Sequence, residues 1–144
     1  MSRLQAKVTI AAPPERVWAA VLEDLDEMPK WAAYLRSVSV VDGGRPGPGH
    51  ALRYELNLPG DWSLVLRPAV WDRPRHCAGS FADSPVTGSW SYDFAAAGDG
   101  TDLSYDMDFK LGGMLRFAGG LLQSRYEQGI RDAMEQLKEY LERS

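Results

Sequence analysis

Near its C-terminus the chain reads MLRFAGGLLQSRYEQGIRDAMEQLKEYL over residues 114–141, and that spacing constrains everything before it. Met114, Phe117, Leu121, Leu122, Tyr126, Ile130, Ala133, Leu137 and Leu141 recur at helical intervals. Glu127, Arg131, Glu135, Lys138, Glu139 and Glu142 occupy much of the remaining surface. The pattern predicts one helix from near Leu115 to Leu141, roughly 27 residues or ~40 Å at 1.5 Å per residue. No second heptad-patterned helix exists for it to pair with. A sheet must therefore cover the apolar stripe, which predicts a curved antiparallel sheet gripping one long helix.

The segments before it supply such a sheet. Leu103, Tyr105, Met107 and Phe109 alternate with Asp102, Ser104, Asp106 and Asp108, the cleanest half-buried strand in the chain. The apolar set is expected inside and the carboxylates in water. Calcium is the competing reading of those carboxylates, but a period of two does not reproduce an EF-hand loop. Val86, Trp90, Tyr92 and Phe94 form a second apolar face, joined to the first by the turn signal Ala97-Gly98-Asp99-Gly100. Weaker strands are read around Val38–Val40, Leu52–Leu58, Trp62–Val70 and residues 75–81. Pro59-Gly60-Asp61 is read as a hairpin turn, and Pro68 signals a bulge or an edge.

At the N-terminus, residues 3–10 alternate as another strand, ended by Ala11-Ala12-Pro13-Pro14. Proline costs little at a helix start, because its missing N–H would be unpaired there anyway. Val17, Trp18, Val21, Leu22 and Leu25 then mark a helix of about ten residues. A short turn before Pro29 and the large anchors Trp31, Tyr34 and Leu35 follow.

With 144 residues, 44% hydrophobic and 25% charged, the chain has the composition of one α+β domain spanning 1–144. A chain of this size buries roughly 68–70% of its unfolded surface, so it needs no staples. The net charge of −4 and the scattered arginines argue against a nucleic-acid partner. Lone Cys77 can form neither an internal disulfide nor a cysteine-based metal cluster. No apolar run is long enough to span a bilayer, and the first residues lack a secretory h-region. Cytoplasmic location and no integral membrane association are the expectation. Neither dinucleotide nor P-loop glycine motifs occur, nor does H-E-x-x-H, so no cofactor and no metal are expected.

The segment Val8-Thr9-Ile10-Ala11-Ala12-Pro13-Pro14-Glu15-Arg16-Val17-Trp18, followed by Met28-Pro29-Lys30-Trp31, resembles the START-like (SRPBCC-type) helix-grip superfamily. Within it, the resemblance is to the polyketide cyclase/dehydrase and lipid-transport group. That group typically has a strand ending in Ala-Pro, Glu-x-Val-Trp opening a helix, and a Trp before the second strand. Phe109-Lys110-Leu111-Gly112-Gly113 is similar to its approach to the C-terminal helix. The resemblance covers nearly the whole chain. It implies about seven strands around the helix, with a cavity between them that holds a hydrophobic small molecule.

Candidate cavity-lining residues are Trp31, Tyr54, Leu66, Phe81, Trp90, Tyr92, Tyr105, Met107, Met114, Phe117 and Leu121. Each has a plainer reading as core beneath the helix. The pair Gly119-Gly120 either leaves room for ligand or marks a kink or close sheet contact. Arg53, His76 and Arg116 are the candidate polar or proton-transfer groups, although Arg53 on an outer strand phase and Arg116 in solvent are the blander placements. Neither His50 nor His76 has a carboxylate from which a triad can be inferred, and Cys77 reads as a buried, inert thiol. The leading expectation is binding or carriage of an aromatic or polycyclic molecule. An aromatase/cyclase-like enzyme, in which Tyr92 or Tyr105 moves protons, stays open. So do a protein-interaction module with a collapsed pocket, and a homodimer.

Overall fold

The computed structural model describes residues 2–58, 62–82, 86–111 and 119–143. Strand β1 (Ser2–Ile10) leads into helix α1 (Pro14–Leu22) and a 3-10 helix at Leu25–Lys30. Six strands follow: β2 (Leu35–Val40), β3 (Leu52–Leu56), β4 (Trp62–Asp72), β5 (His76–Ala82), β6 (Val86–Ala97) and β7 (Gly100–Leu111). Helix α2 (Gly119–Arg143) closes the chain. All seven strands join one antiparallel sheet in the order β1-β7-β6-β5-β4-β3-β2. The two helical segments between β1 and β2 thus carry the chain from one sheet edge to the other. This is the expected α+β helix-grip architecture.

Alternation fixes which face is buried. On β7, Leu103, Tyr105, Met107 and Phe109 are all at most 3% exposed, whereas Asp102 and Asp108 face solvent. β6 repeats the phase with Trp90, Tyr92 and Phe94, paired directly to Met107, Tyr105 and Leu103. Burying such side chains contributes about 1.5–3 kcal/mol each, so a slip of one residue would exchange the whole set for carboxylates. The β6–β7 hairpin closes at Gly98, whose φ of +60° a side chain would resist.

Strand β4 departs from simple alternation. The register with β5 shifts between Pro68 and Val70, as the proline suggested. Val70, in phase with the buried Leu64 and Leu66 by simple alternation, is instead 46% exposed, because the bulge reverses the phase. Trp71 comes inward with it and meets Trp18 of α1 edge-on at 5.1 Å, while Trp18 also contacts Phe94 at 5.1 Å. This aromatic knot fixes α1 on the sheet.

Helix α2 runs 25 residues and ends two residues beyond the expected Leu141; its expected beginning near Leu115 lies outside the described residues, as does the turn at 59–61. Tyr126, Ile130, Ala133, Met134, Leu137 and Leu141 form its buried stripe. Its polar side also holds the border of the sheet. Arg131 donates to the Gln5 carbonyl at 3.0 Å and Lys138 to the Thr9 carbonyl at 3.0 Å, while Glu142 accepts from the Ala11 N–H at 2.9 Å.

Candidate functional site

Pro29 lies in the last turn of the 3-10 helix, and Met28 O accepts from the N–H groups of Trp31 (3.1 Å) and Ala32 (2.8 Å). That turn drives Trp31 inward to 8% exposure. Tyr34 follows, held by its carbonyl accepting from Asn57 N–H at 2.7 Å. Helix α2 comes down on Tyr34 at Gly129, where a Cβ would sit 2.7 Å from the Tyr34 Cβ. Only a residue without a side chain permits that approach, which lets Tyr34 meet Tyr126 edge-on at 5.9 Å.

These elements enclose a small cavity. Val21, Met28, Trp31 and Tyr34 wall it from the helical segments, and Tyr92, Leu103 and Tyr105 from the sheet. Ile130, Ala133, Met134 and Leu137 of α2 close the third side. Its volume is ≈ 20 Å³, room for about one water. Tyr92 and Tyr105 stack on each other at 4.3 Å and form the aromatic part of the sheet wall. Trp31 also lines an open surface groove of ≈ 430 Å³ with Lys30, Gln136, Glu139, Tyr140 and Arg143, so one side chain borders both interior and exterior.

The polar chemistry of the interior belongs to tyrosines. Burial pushes the phenols of Tyr34, Tyr54, Tyr92, Tyr105 and Tyr126 above the ordinary tyrosine range. The Tyr105 and Tyr126 phenols lie beside each other, and the Tyr126 hydroxyl donates to Met107 Sδ at 3.6 Å. Tyr54 is different. The Tyr92 phenol is its hydrogen-bonding neighbour and favours its ionisation, yet the contact falls short of hydrogen-bond geometry and the hydroxyl is buried without a well-formed bond. The indole N–H groups of Trp31 and Trp18 are likewise buried without partners.

At neutral pH these phenols are therefore donors rather than bases, since a general base needs a pKa near the working pH. Burial also pushes the Cys77 thiol up to about 12, so it supplies no thiolate. Thr101, the buried polar side chain among the described residues, gives its hydroxyl to the Ala12 carbonyl at 2.8 Å.

Of the expected lining residues, the structure brings Trp31, Tyr92 and Tyr105 to this cavity. Tyr54, Leu66, Phe81, Trp90 and Met107 are buried on the inner face of the sheet. Met114, Phe117 and Arg116 lie outside the described residues, and for Leu121 only the backbone, in the first turn of α2, is described. Two polar candidates lie away from the cavity, Arg53 on the outer phase that its strand already suggested. His76 lies on the outer face, because its neighbour Cys77 takes the inward phase; its Nδ1 meets Asp93 Oδ1 at 2.8 Å across the β5–β6 pair. Arg53 is exposed on the outer phase of β3. His50, too, has an aspartate beside it, Asp42 at 2.8 Å, in the exposed Gly/Pro loop. Both histidines thus have carboxylate partners that the sequence did not reveal, and both pairs are at the surface.

Sequence reasoning also missed wall residues. Tyr34 was read only as an anchor and Ile130 only as helix stripe, while Met28 and Met134 gave no signal. Gly129 was the available hint, a glycine facing inward within a helix that otherwise favours side chains.

A sequence profile described as polyketide cyclase/dehydrase and lipid transport matches residues 1–142. Among solved structures, the chain is similar to TTHA0849 from Thermus thermophilus, with 20% identity, TM-score 0.75, and coverage of 96% of this chain and 95% of that one. It is also similar to CV1439 from Chromobacterium violaceum (18% identity, TM-score 0.73, 97% of each chain). A START superfamily protein from Mycobacterium smegmatis aligns at 18% identity and TM-score 0.64, over 94% of this chain and 98% of that one. No curated protein matches significantly. With the profile spanning the strand–helix opening, the sheet and the long helix alike, the chain belongs to the polyketide cyclase/dehydrase and lipid-transport family of the START-like helix-grip superfamily.

Proposed function

We propose that the protein binds and carries an aromatic or polycyclic hydrophobic molecule between the sheet and α2. The observation that carries this reading is the stacked Tyr92–Tyr105 wall facing the apolar side chains of α2 across a void. A flat ligand gains most from such a wall, through offset stacking and apolar burial. Carriage fits better than proton-transfer catalysis, because the phenols there are held neutral by burial. Drug-sized ligands occupy about 300 Å³ or more. Binding must therefore widen the space, and the flexible Met28 and Met134 side chains in its wall are suited to yield.

The small volume of the void favours a second reading, a protein-interaction module whose interior is filled by its own side chains. Native mass spectrometry of the purified protein, followed by denaturation and identification of released molecules, separates the two. The expected result is one apolar molecule per chain. Release of none, together with no saturable uptake of a neutral naphthyl probe, overturns carriage and favours the filled interior.

A further inference from the structure

The inner face of the sheet carries a tyrosine whose hydroxyl is fully buried without a well-formed hydrogen bond. Tyr54, in β3 between Val38 and Leu64 of the neighbouring strands, is 2% exposed, and its Oη finds no partner. A buried hydroxyl left unpaired is costly, whereas phenylalanine would fill the same space without that cost. Tyr126, by contrast, donates its hydroxyl to Met107 Sδ at 3.6 Å. Beside Tyr54 stands Tyr92, part of the cavity wall, and across the cavity the Trp31 indole N–H is also buried and unpaired. Indole N–H can only donate, and a protonated phenol donates readily.

Charge is missing from this setting. Among the described residues no charged side chain is fully buried. A carboxylate or ammonium ligand would enter without a counter-charge, at a desolvation cost that apolar contact does not offset.

We infer that the ligand is an uncharged molecule bearing a carbonyl- or ether-type oxygen, and that the Tyr54 hydroxyl is the donor that reads that oxygen. The inference rests on the ligand-carrying reading above and narrows it to neutral, acceptor-bearing molecules. Tyr54 then discriminates between a ketone and the hydrocarbon of the same shape. Its unpaired state in the empty protein is the cost of that selectivity.

Three naphthalene probes and one substitution test this. The probes are a dimethylaminonaphthyl ketone, whose emission reports hydrogen bonding to its carbonyl, an alkylnaphthalene of matching size, and a naphthoate. The parent should bind the ketone about tenfold more tightly than the alkyl probe, the worth of one good buried hydrogen bond. Tyr54→Phe should remove most of that preference and leave alkyl affinity unchanged, with a melting temperature equal to or above the parent's. An unchanged preference in Tyr54→Phe overturns the role of Tyr54. So does a fall in melting temperature accompanied by weaker binding of the alkyl probe, which marks a structural tyrosine. Tightest binding of naphthoate overturns the neutral ligand class. If the parent binds none of the three, the carrier reading itself fails, a result distinct from loss of selectivity alone.

Discussion

The interior has two aromatic regions that differ in one respect. Around Trp18, the rings of Trp71 and Phe94 meet at 5.1 Å, in a knot whose one buried unpaired polar atom is an indole N–H that cannot titrate. Around Tyr92, five phenols gather under α2, all pushed above their ordinary range by burial, with a void among them. The first region is a way to hold α1 on the sheet. The second holds the unpaired Tyr54 hydroxyl, which hydrocarbon would replace at lower cost. Buried polar chemistry retained where a plain core would suffice is the better guide to function.

Alkaline pH probes this contrast most strongly. Unfolded tyrosines ionise near ~10, and the buried ones ionise higher. Above that pH the unfolded chain has released protons that the folded chain keeps, so stability falls as pH rises. The slope is about 1.4 kcal/mol per pH unit for each phenol held neutral. Stability should be level through neutral pH and collapse above ~10, with tyrosinate absorbance appearing at the unfolding transition. Independent ionisation of these five tyrosines in still-folded protein would break the comparison. Cys77, held up to about 12, adds to the loss from a slightly lower pH.

The knot makes the next largest contribution. Trp18→Ala should cost about 3–5 kcal/mol in urea unfolding, as expected for an excavated aromatic, without altering probe affinity in the protein that remains folded. A loss under ~1 kcal/mol would mean that α1 is held by something else. Smallest is the distinction within the tyrosine cluster. Tyr126→Phe removes a hydroxyl partnered by Met107 Sδ and should cost about 1 kcal/mol, whereas Tyr54→Phe should cost nothing. Equal losses at the two positions would make the cluster uniformly structural.

Much of the fold was legible because water marks it. Tyr105 and Met107 alternate with aspartates only if one face is wet, and that parity carried over to Trp90 and Tyr92. The bulge at Pro68 was visible, but its consequence was not: a single extra residue sends Val70 out and Trp71 in. The His76–Asp93 pair was hidden for another reason. Cross-strand register depends on the whole sheet, and nothing near His76 in the chain names its neighbour. The cavity was least legible. Its size depends on fractions of an ångström in packing, such as the approach of Gly129 to Tyr34, and hydrophobic pattern carries no such information.

The three contacts that Arg131, Lys138 and Glu142 make along β1 bear on assembly. The unpaired backbone groups of a border strand are what a second chain uses to add itself, the step that begins runaway strand addition. Here the Gln5 and Thr9 carbonyls are already taken by side chains of the same molecule. A copy approaching from this side would have to displace two cations to use these acceptors. Any homodimer that extends the sheet is thereby directed to the opposite border, at β2.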